Sequence, residues 1–256
     1  MLLFRFGPEG FFAAGESAAE ARLLFSDPFT VPPSQWSCGR TVDLALEARR
    51  APVEPGKVVG VGRNYREHAR ELGNPVPTEP MIFLKSPGAV IGPNAPIVLP
   101  PESERVEYEG EIAIVVRHRL RRAGTGDAAR AVLGVCAAID VTARDLQQSD
   151  SRFSRAKSFD TFCPLGPAIA VEPDLDELGL VTRVNGEERQ RAAASEMIWG
   201  VVELLVWTSR MMTLEPGDVM LTGTPAGVGP LADGDMVEVE IPAVGVLRTP
   251  VEAWRR

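Results

Sequence analysis

Short apolar segments that follow one another without regularly spaced helices constrain the fold of this chain most. Beyond residue 56, the runs that predict strands are separated mainly by turns and by only a few helical segments. A doubly wound parallel sheet needs strands and helices in regular alternation, so this pattern disfavours that architecture. The sequence therefore predicts an α+β fold that is mainly β, and its 256 residues suffice to bury a sizeable core.

Individual segments predict particular elements of this fold. Val132–Ile139 is a continuous apolar run typical of a buried strand. The dipeptide Asn185-Gly186 between two strand-like runs predicts a two-residue hairpin turn. Asn64, with Glu67 three residues later, predicts the capped start of a short helix. Residues 195–212 predict one buried helix with Ser195 as its cap.

A proline-containing stretch divides the sequence into two parts. Residues 51–56 are typical of a linker, and we place a boundary near residue 55. Residues 1–55 are expected to form a small N-terminal β-rich domain that opens with a hairpin of residues 1–6 and 10–14. Residues 56–256 are expected to form the larger domain, which carries the chemistry.

Composition and charge limit the classes of partner. Hydrophobic residues make 45% and charged residues 24%, the ordinary balance of a soluble globular protein. The net charge of −8 argues against nucleic-acid binding, because phosphate affinity comes from clustered Lys and Arg. The most apolar stretch, residues 197–207, is too short for a membrane span, and we find no secretion signal. Three widely separated cysteines fit a reduced cytoplasmic protein.

Acidic residues on and after two predicted strands point to a metal site. Glu109 and Glu111 share one face of a strand, because residues i and i+2 point the same way. Neighbouring carboxylates repel unless a cation lies between them, and oxygen ligands suit Mg²⁺, Mn²⁺ or Ca²⁺. The alternative is a solvated strand edge. Asp140 follows the apolar run Val132–Ile139, where it either completes this site or caps a following helix.

Two further patterns and the scarcity of lysine are candidate functional features. His68 and Glu71 are neighbours at i and i+3 of the predicted helix. They are either a general base with the acid that orients it, or a structural histidine paired with a nearby acid. The glycine-rich residues 222–229 either expose backbone N–H groups to an anion or form a tight turn. Lysine is rare in this Arg-rich chain, which suggests roles for the lysines present: Lys57, Lys85 and Lys157.

Eight segments resemble, in order, the fumarylacetoacetate hydrolase family. They are residues 59–68 (VGVGRNYREH), 81–87 (MIFLKSP), 107–115 (EYEGEIAIV), 140–147 (DVTARDLQ), 155–160 (RAKSFD), 163–167 (CPLGP), 183–186 (RVNG) and 221–229 (LTGTPAGVG). The resemblance covers roughly residues 57 to 253. It does not extend over the first 55 residues, which in relatives form a small and variable N-terminal domain.

The resemblance implies a mixed β-roll, usually a homodimer, with a Mg²⁺ or Mn²⁺ site in each chain. The implied metal ligands are Glu109, Glu111 and Asp140. The residues implied to contact the substrate are Gln147, Lys157, Gly223 and Thr224, the last two in the turn that would hold its carboxylate. In members that cleave acylpyruvates or decarboxylate oxaloacetate, a catalytic His–Glu pair lies on a mobile lid helix, and it matches His68 and Glu71.

The reaction that this resemblance implies is metal-dependent hydrolysis of a C–C bond in a small dicarbonyl acid of the acylpyruvate or fumarylpyruvate type. His68, oriented by Glu71, would take a proton from water, and the bond would break to an enolate that the cation and the catalytic Lys157 stabilise. Relatives with the same residues are isomerases of 2-hydroxyhepta-2,4-diene-1,7-dioate in aromatic catabolism, or decarboxylases of acids such as oxaloacetate. These remain alternatives, as does a non-enzymatic binder of a metal or metabolite.

Overall fold

The computed structural model describes residues 1–44, 47–150 and 152–255, and its architecture is mainly β with short helices. The predicted α+β class is confirmed. The helices are α1 (Arg66–Glu71), α2 (Thr125–Arg130), α3 (Arg144–Ser149), α4 (Ser154–Lys157) and α5 (Val201–Met211). Among the described residues, no helix has both the length and the apolar character needed to cross a membrane.

Strands supply most of the regular structure. In chain order they are β1 (Leu2–Phe6), β2 (Phe11–Gly15), β3 (Arg22–Leu24), β4 (Cys38–Thr41), β5 (Val58–Gly62), β6 (Met81–Lys85), β7 (Val90–Ile91), β8 (Ile97–Leu99), β9 (Val106–Tyr108), β10 (Gly110–Val116), β11 (Val132–Ile139), β12 (Thr142–Ala143), β13 (Cys163–Val171), β14 (Gly179–Val184), β15 (Glu187–Ala193), β16 (Val219–Leu221), β17 (Gly229–Pro230), β18 (Met236–Ile241) and β19 (Gly245–Ala253).

Two large sheets and one small sheet make up the roll. The largest runs in the order β4-β3-β2-β1-β13-β11-β10-β16-β5-β6, and β7 pairs with β13. A second sheet has the order β15-β14-β18-β19-β8, and a third consists of β12-β9-β17. Most pairs are antiparallel, but β16 and β5 run parallel. The strands at the centre of the largest sheet, β10 and β11, therefore have neighbours on both sides.

Close packing of the second sheet against the first buries the central strands on both faces. A Cβ atom at Gly110 would lie 2.0 Å from Oγ1 of Thr182 on β14, so only glycine fits where the two sheets meet. All residues of β10 are buried, including Ile112 and Ala113 on its opposite faces. The predicted alternative for Glu109 and Glu111, a solvated strand edge, is therefore wrong.

The N-terminal strands extend the largest sheet instead of standing apart from it. The predicted hairpin is confirmed as β1 and β2, and β1 pairs with β13 through Leu2 and Leu3. A small apolar cluster packs beneath these strands and consists of Phe4, Phe6, Ala13, Ala21, Val42, Leu44 and Ala168. Residues 1–55 thus have a local core next to a shared sheet, and the domain boundary near residue 55 stays a prediction.

Two helix starts differ from their predictions. Tyr65, not Asn64, is the N-cap residue of α1, and the Asn64 side chain binds the backbone of Trp199 and Thr222 instead. Residues 194–196 form a separate 3-10 turn, and α5 begins only after Gly200. The backbone N–H groups of Ile198 and Trp199 donate to Asn64 instead of to carbonyls one helical turn earlier, and the predicted continuous helix does not form. The Asn185-Gly186 hairpin is confirmed, with φ +54° and +79°.

Candidate active site

Three buried carboxylates meet where β10 and β11 pair. Gly110 is opposite Ile139 in the register, and the backbone N–H of Asp140 donates to the carbonyl of Glu109 at 2.8 Å. One carboxylate oxygen each from Glu109, Glu111 and Asp140 lies within 4.8 Å of the others. All three side chains are buried, so the structure brings together the residues predicted as metal ligands. Asp140 does not cap a helix, because α3 begins after Ala143.

Two buried lysines donate hydrogen bonds to Asp140, one to each carboxylate oxygen. Lys157, on α4, donates from Nζ to Asp140 Oδ2 at 2.5 Å, to Glu109 Oε2 at 2.8 Å and to Thr142 Oγ1 at 2.7 Å. Lys85, at the end of β6, donates to Asp140 Oδ1 at 2.6 Å. Each lysine is 2% exposed. Lys157 was predicted for the site, whereas Lys85 was not assigned to it.

Arg144 is a further buried cation at the cluster, and its role there is not predicted from the sequence. Its Nε donates to Glu107 at 2.6 Å, and its terminal nitrogens donate to Glu109 and to the side chain of Gln147. Gln147 therefore lies beside the carboxylates, as expected, and lines the cleft in front of them. Its predicted contact with a substrate stays a prediction.

Glu111 is the carboxylate with the least compensation. Its hydrogen-bond partner is the backbone N–H of Gly223, at 2.6 Å. Burial, followed by repulsion from Asp140 and Glu109, raises the pKa of Glu111 well above its ordinary value. Burial acts on Glu109 in the same direction, but Lys157 and Arg144 outweigh it and lower the pKa of that carboxyl.

The donor set fits a hard divalent cation. It offers three clustered carboxylates with little freedom to move apart, and one of them, Glu111, forms no ion pair with the described residues. A divalent ion held by these oxygens would relieve the repulsion that raises the pKa of Glu111. The buried cluster could thus bind such a metal through Glu109, Glu111 and Asp140.

Replacing Glu111 with glutamine is expected to stabilise the metal-free protein by about 1 kcal/mol at alkaline pH, since binding sites often cost stability. A carboxyl with a raised pKa contributes stability below its unfolded pKa and loses it as pH rises through the folded pKa. The variant carries no such charge, so its advantage grows with pH and vanishes in acid. Urea denaturation in EDTA at several pH values measures this difference.

The same variant has an internal control. Added Mg²⁺ is expected to stabilise the wild type by mass action and to leave Glu111→Gln nearly unchanged. A variant that Mg²⁺ stabilises as much as the wild type would remove Glu111 from the metal site, and one that is less stable than the wild type at alkaline pH would contradict the raised pKa of Glu111.

His68 and Glu71 lie together on α1, and His68 lines the same cleft. His68 is buried, and its Nδ1 lies 3.3 Å from Glu71 Oε2. The other oxygen of Glu71 accepts the backbone N–H of Gly227 at 3.0 Å. With Nδ1–H directed at Glu71, Nε2 of His68 keeps its lone pair. The pair can therefore act as a base with an orienting acid, although this role stays a prediction.

The glycine-rich residues 222–229 support the cluster from one side. Gly223 has φ +97°, and a Cβ atom there would lie 2.8 Å from Cβ of Asn64. The Thr224 hydroxyl donates to the carbonyl of Gly110 at 2.8 Å and accepts from Gln190 at 2.7 Å. The tight-turn interpretation is correct, because Gly223 has a positive φ. The turn also lies beside the acidic cluster, since Gly223 and Thr224 donate to Glu111 and to the carbonyl of Gly110. Their predicted contact with a substrate carboxylate stays a prediction.

A cleft of about 320 Å³ opens onto these groups, near the lower end of small-molecule sites. Apolar and cationic residues share its walls. Lys157 Nζ lies 5.0 Å from the ring centroid of Phe83, and Phe153 meets Phe83 edge-on at 5.8 Å. His68, the two glutamates and Lys157 all line this one cleft.

The fold and the site together define a protein with a buried acidic cluster at the centre of a mixed β-roll. The chain matches the family model described as fumarylacetoacetate (FAA) hydrolase C-terminal over residues 57–252. This protein belongs to the fumarylacetoacetate hydrolase family, and the resemblance expected from the sequence is confirmed.

Similar proteins include two isomerases of known structure. A 2-hydroxyhepta-2,4-diene-1,7-dioate isomerase from Mycobacterium marinum is 40% identical, with a TM-score of 0.89 and 100% of each chain covered. A 5-carboxymethyl-2-hydroxymuconate delta-isomerase from Mycobacterium smegmatis is 40% identical, with a TM-score of 0.89 over 99% of this chain and 100% of the other. A mitochondrial oxaloacetate tautomerase from Bos taurus is 44% identical over 210 residues, 77% of this chain and 67% of the relative.

Proposed function

We propose that this chain interconverts the keto and enol forms of a small 2-oxo acid, or shifts a double bond in such an acid, with the help of Mg²⁺ or Mn²⁺. The observation that carries the proposal is a single cleft lined both by carboxylates of the acidic cluster and by His68. The isomerase and tautomerase names of relatives at 40–44% identity support this reaction class.

The chain's own residues would bind and orient the substrate. A divalent cation held by Glu109, Glu111 and Asp140 would supply Lewis-acid stabilisation of negative charge on the substrate oxygens. Lys157 adds a fixed positive charge beside the same carboxylates, in surroundings where burial strengthens its field. Phe83 and Phe153 would exclude water from the carbon atoms that react.

His68 would move the proton. Its Nε2 would take a proton from the carbon next to the 2-oxo group, and the electron pair of that C–H bond would pass into the enolate. The protonated imidazole, which Glu71 orients and stabilises, would return a proton to the enolate oxygen or to a carbon further along the chain. Atoms and charge balance without a second reactant.

Hydrolysis of an acylpyruvate or fumarylpyruvate is the second candidate, and the His68–Glu71 pair favours it. The same Nε2 could take a proton from water, and the resulting hydroxide would attack the distal carbonyl. The C–C bond would then break, its electron pair would pass into the enolate of the released 2-oxo acid, and His68 would return the proton. Decarboxylation of oxaloacetate uses the same enolate without water.

A substrate panel tests this proposal. Enol oxaloacetate, 2-hydroxyhepta-2,4-diene-1,7-dioate, acetylpyruvate and fumarylpyruvate are each followed with Mg²⁺, with Mn²⁺ and with EDTA. We expect metal-dependent interconversion of the first two without loss of carbon. Metal-dependent cleavage confined to the last two would make the chain a hydrolase, and CO₂ release from oxaloacetate would make it a decarboxylase.

If the protein binds the metal but turns over no compound of the panel, a non-enzymatic binder of a metal or metabolite would be favoured. The predicted homodimer is a separate proposal, which light scattering at several protein concentrations tests. A cytoplasmic location and the absence of a nucleic-acid partner stay predictions from the sequence.

A further inference from the structure

Arg63 is a cation of the cleft that is not paired with any carboxylate of the described part of the chain. Among the described residues, the Arg and Lys side chains that line the cleft are Arg63, Arg144 and Lys157. Arg144 and Lys157 are bound to carboxylates of the cluster. Within residues 1–44, 47–150 and 152–255, the Arg63 guanidinium has neither an acidic partner nor a hydrogen-bond acceptor. Its five N–H donors are therefore available to a ligand.

The backbone presents Arg63 in a fixed and uncommon conformation. Its φ of +57° lies in the left-handed region, which non-glycine residues occupy mainly where the surroundings enforce it. Gly62 is held by pairing with Met81 on β6. Asn64 is fixed by the side-chain hydrogen bonds to Trp199 and Thr222. Both chain neighbours of Arg63 are therefore held in place, and Arg63 itself lines the cleft.

Building on the function proposed above, we infer that Arg63 binds the distal carboxylate of the substrate and restricts the enzyme to dicarboxylic 2-oxo acids. Guanidinium groups hold carboxylates through two parallel hydrogen bonds, which gives both affinity and orientation. The 2-oxo acid head belongs at the acidic cluster, where the divalent cation would neutralise it. Phe83, Phe153 and Met81 line the cleft and suit the carbon chain that joins the two ends.

The test compares two ligands that differ in the distal carboxylate. 2-Oxoglutarate and 2-oxobutyrate carry the same 2-oxo acid head, and their dissociation constants are measured by calorimetry on the Mg²⁺-loaded protein. We expect the wild type to prefer 2-oxoglutarate. Arg63→Gln is expected to raise the Kd of 2-oxoglutarate by about 10- to 100-fold and to shrink the preference by a similar factor. Arg63→Lys keeps the charge without the paired donors, so its Kd for 2-oxoglutarate should lie between those of the wild type and Arg63→Gln.

Arg66→Gln is the matched control, because Arg66 is exposed on α1 and is not part of the cleft. It should leave the ratio of the two dissociation constants unchanged. For oxaloacetate, Arg63→Gln should raise KM more than it lowers kcat. Melting temperatures within a few degrees of wild type establish that each variant folds.

Two results would overturn the inference. Equal weakening of both ligands would mean that Arg63 binds the 2-oxo acid head or only shapes the cleft. Unchanged dissociation constants for both ligands in Arg63→Gln, or a wild type without preference for the dicarboxylate, would mean that no distal carboxylate is bound there. Failure of the proposed function is seen separately, as absence of turnover by the wild type, because the binding measurement needs no reaction.

Discussion

Asp140→Asn is expected to abolish metal-dependent turnover and to destabilise the protein by about 3–5 kcal/mol, the usual cost of breaking a buried ion pair. Asp140 is 0% exposed and accepts Nζ of both Lys85 and Lys157. The variant would leave these ammonium groups short of one negative charge in a site from which water is excluded. Lys157 would keep Glu109, but the remaining hydrogen bond of Lys85 goes to the carbonyl of Val141, at 3.2 Å.

Denaturant unfolding and metal titration measure the two effects of Asp140→Asn separately. The comparison with Glu111→Gln is informative, because both variants should lose the divalent cation while their stabilities change in opposite directions. Asp140 has two buried cationic partners, whereas Glu111 has a backbone N–H. Equal stabilities of Asp140→Asn and wild type would show that the lysines do not depend on this carboxylate.

A second substitution links the loss of stability to its cause. Lys85→Met removes one of the two cations that lose their carboxylate in Asp140→Asn, and replaces it with an apolar side chain of similar length. The double variant Lys85→Met/Asp140→Asn is expected to be more stable than the sum of the single changes predicts, by about 0.5–3 kcal/mol. It should still fail to turn over substrate, since the acidic cluster remains incomplete. Strict additivity would contradict the proposed dependence of Lys85 on Asp140.

The acidic cluster was predictable because its members are set by strand register. A two-residue spacing fixed the common side of Glu109 and Glu111, and Asp140 follows a run whose apolar length predicts a buried strand. The spacing of His68 and Glu71 on one helix face is equally local. These features depend on short stretches of sequence, and the structure brings the residues together as expected.

The cations of the site could not be derived in the same way. Arg144 reaches Glu109 across 35 positions, and Lys85 reaches Asp140 across 55, so both contacts depend on how distant strands pair. The scarcity of lysine in the sequence was the signal that could have assigned Lys85 to the site, but the same signal would also assign Lys57. Lys57 forms its ion pair with Asp218, outside the cleft, so scarcity alone does not separate the two roles.

Asn64 shows how tertiary contacts override a local pattern. Its position before a helical segment is typical of an N-cap, and its side chain has the right chemistry for one. In the structure that side chain instead joins the start of α1 to Trp199 and Thr222, two segments more than 130 positions away. Three hydrogen bonds across the fold outweigh the single one that a cap would gain, and they also hold the loop that carries Arg63.

His68→Gln is expected to lower kcat by about 10²- to 10⁴-fold, the usual contribution of a general base. Glutamine keeps a polar side chain that can hydrogen-bond Glu71, but its amide accepts no proton at neutral pH. The affinity for Mg²⁺ should change little, because His68 is not a member of the acidic cluster. His68→Gln thus separates proton transfer from metal binding, whereas Asp140→Asn is expected to lose both turnover and metal binding.

Exchange of the substrate's C3 protons with D₂O, followed by NMR on a 2-oxo acid, isolates the step assigned to His68. His118→Gln is the matched control, since His118 is exposed and is the only other histidine of the chain. Exchange should be lost in His68→Gln and retained in His118→Gln, whichever product the enzyme finally releases. If His68→Gln exchanged protons at the wild-type rate while product formation stopped, another group would be the carbon base. His68 would then act on water, as hydrolysis requires.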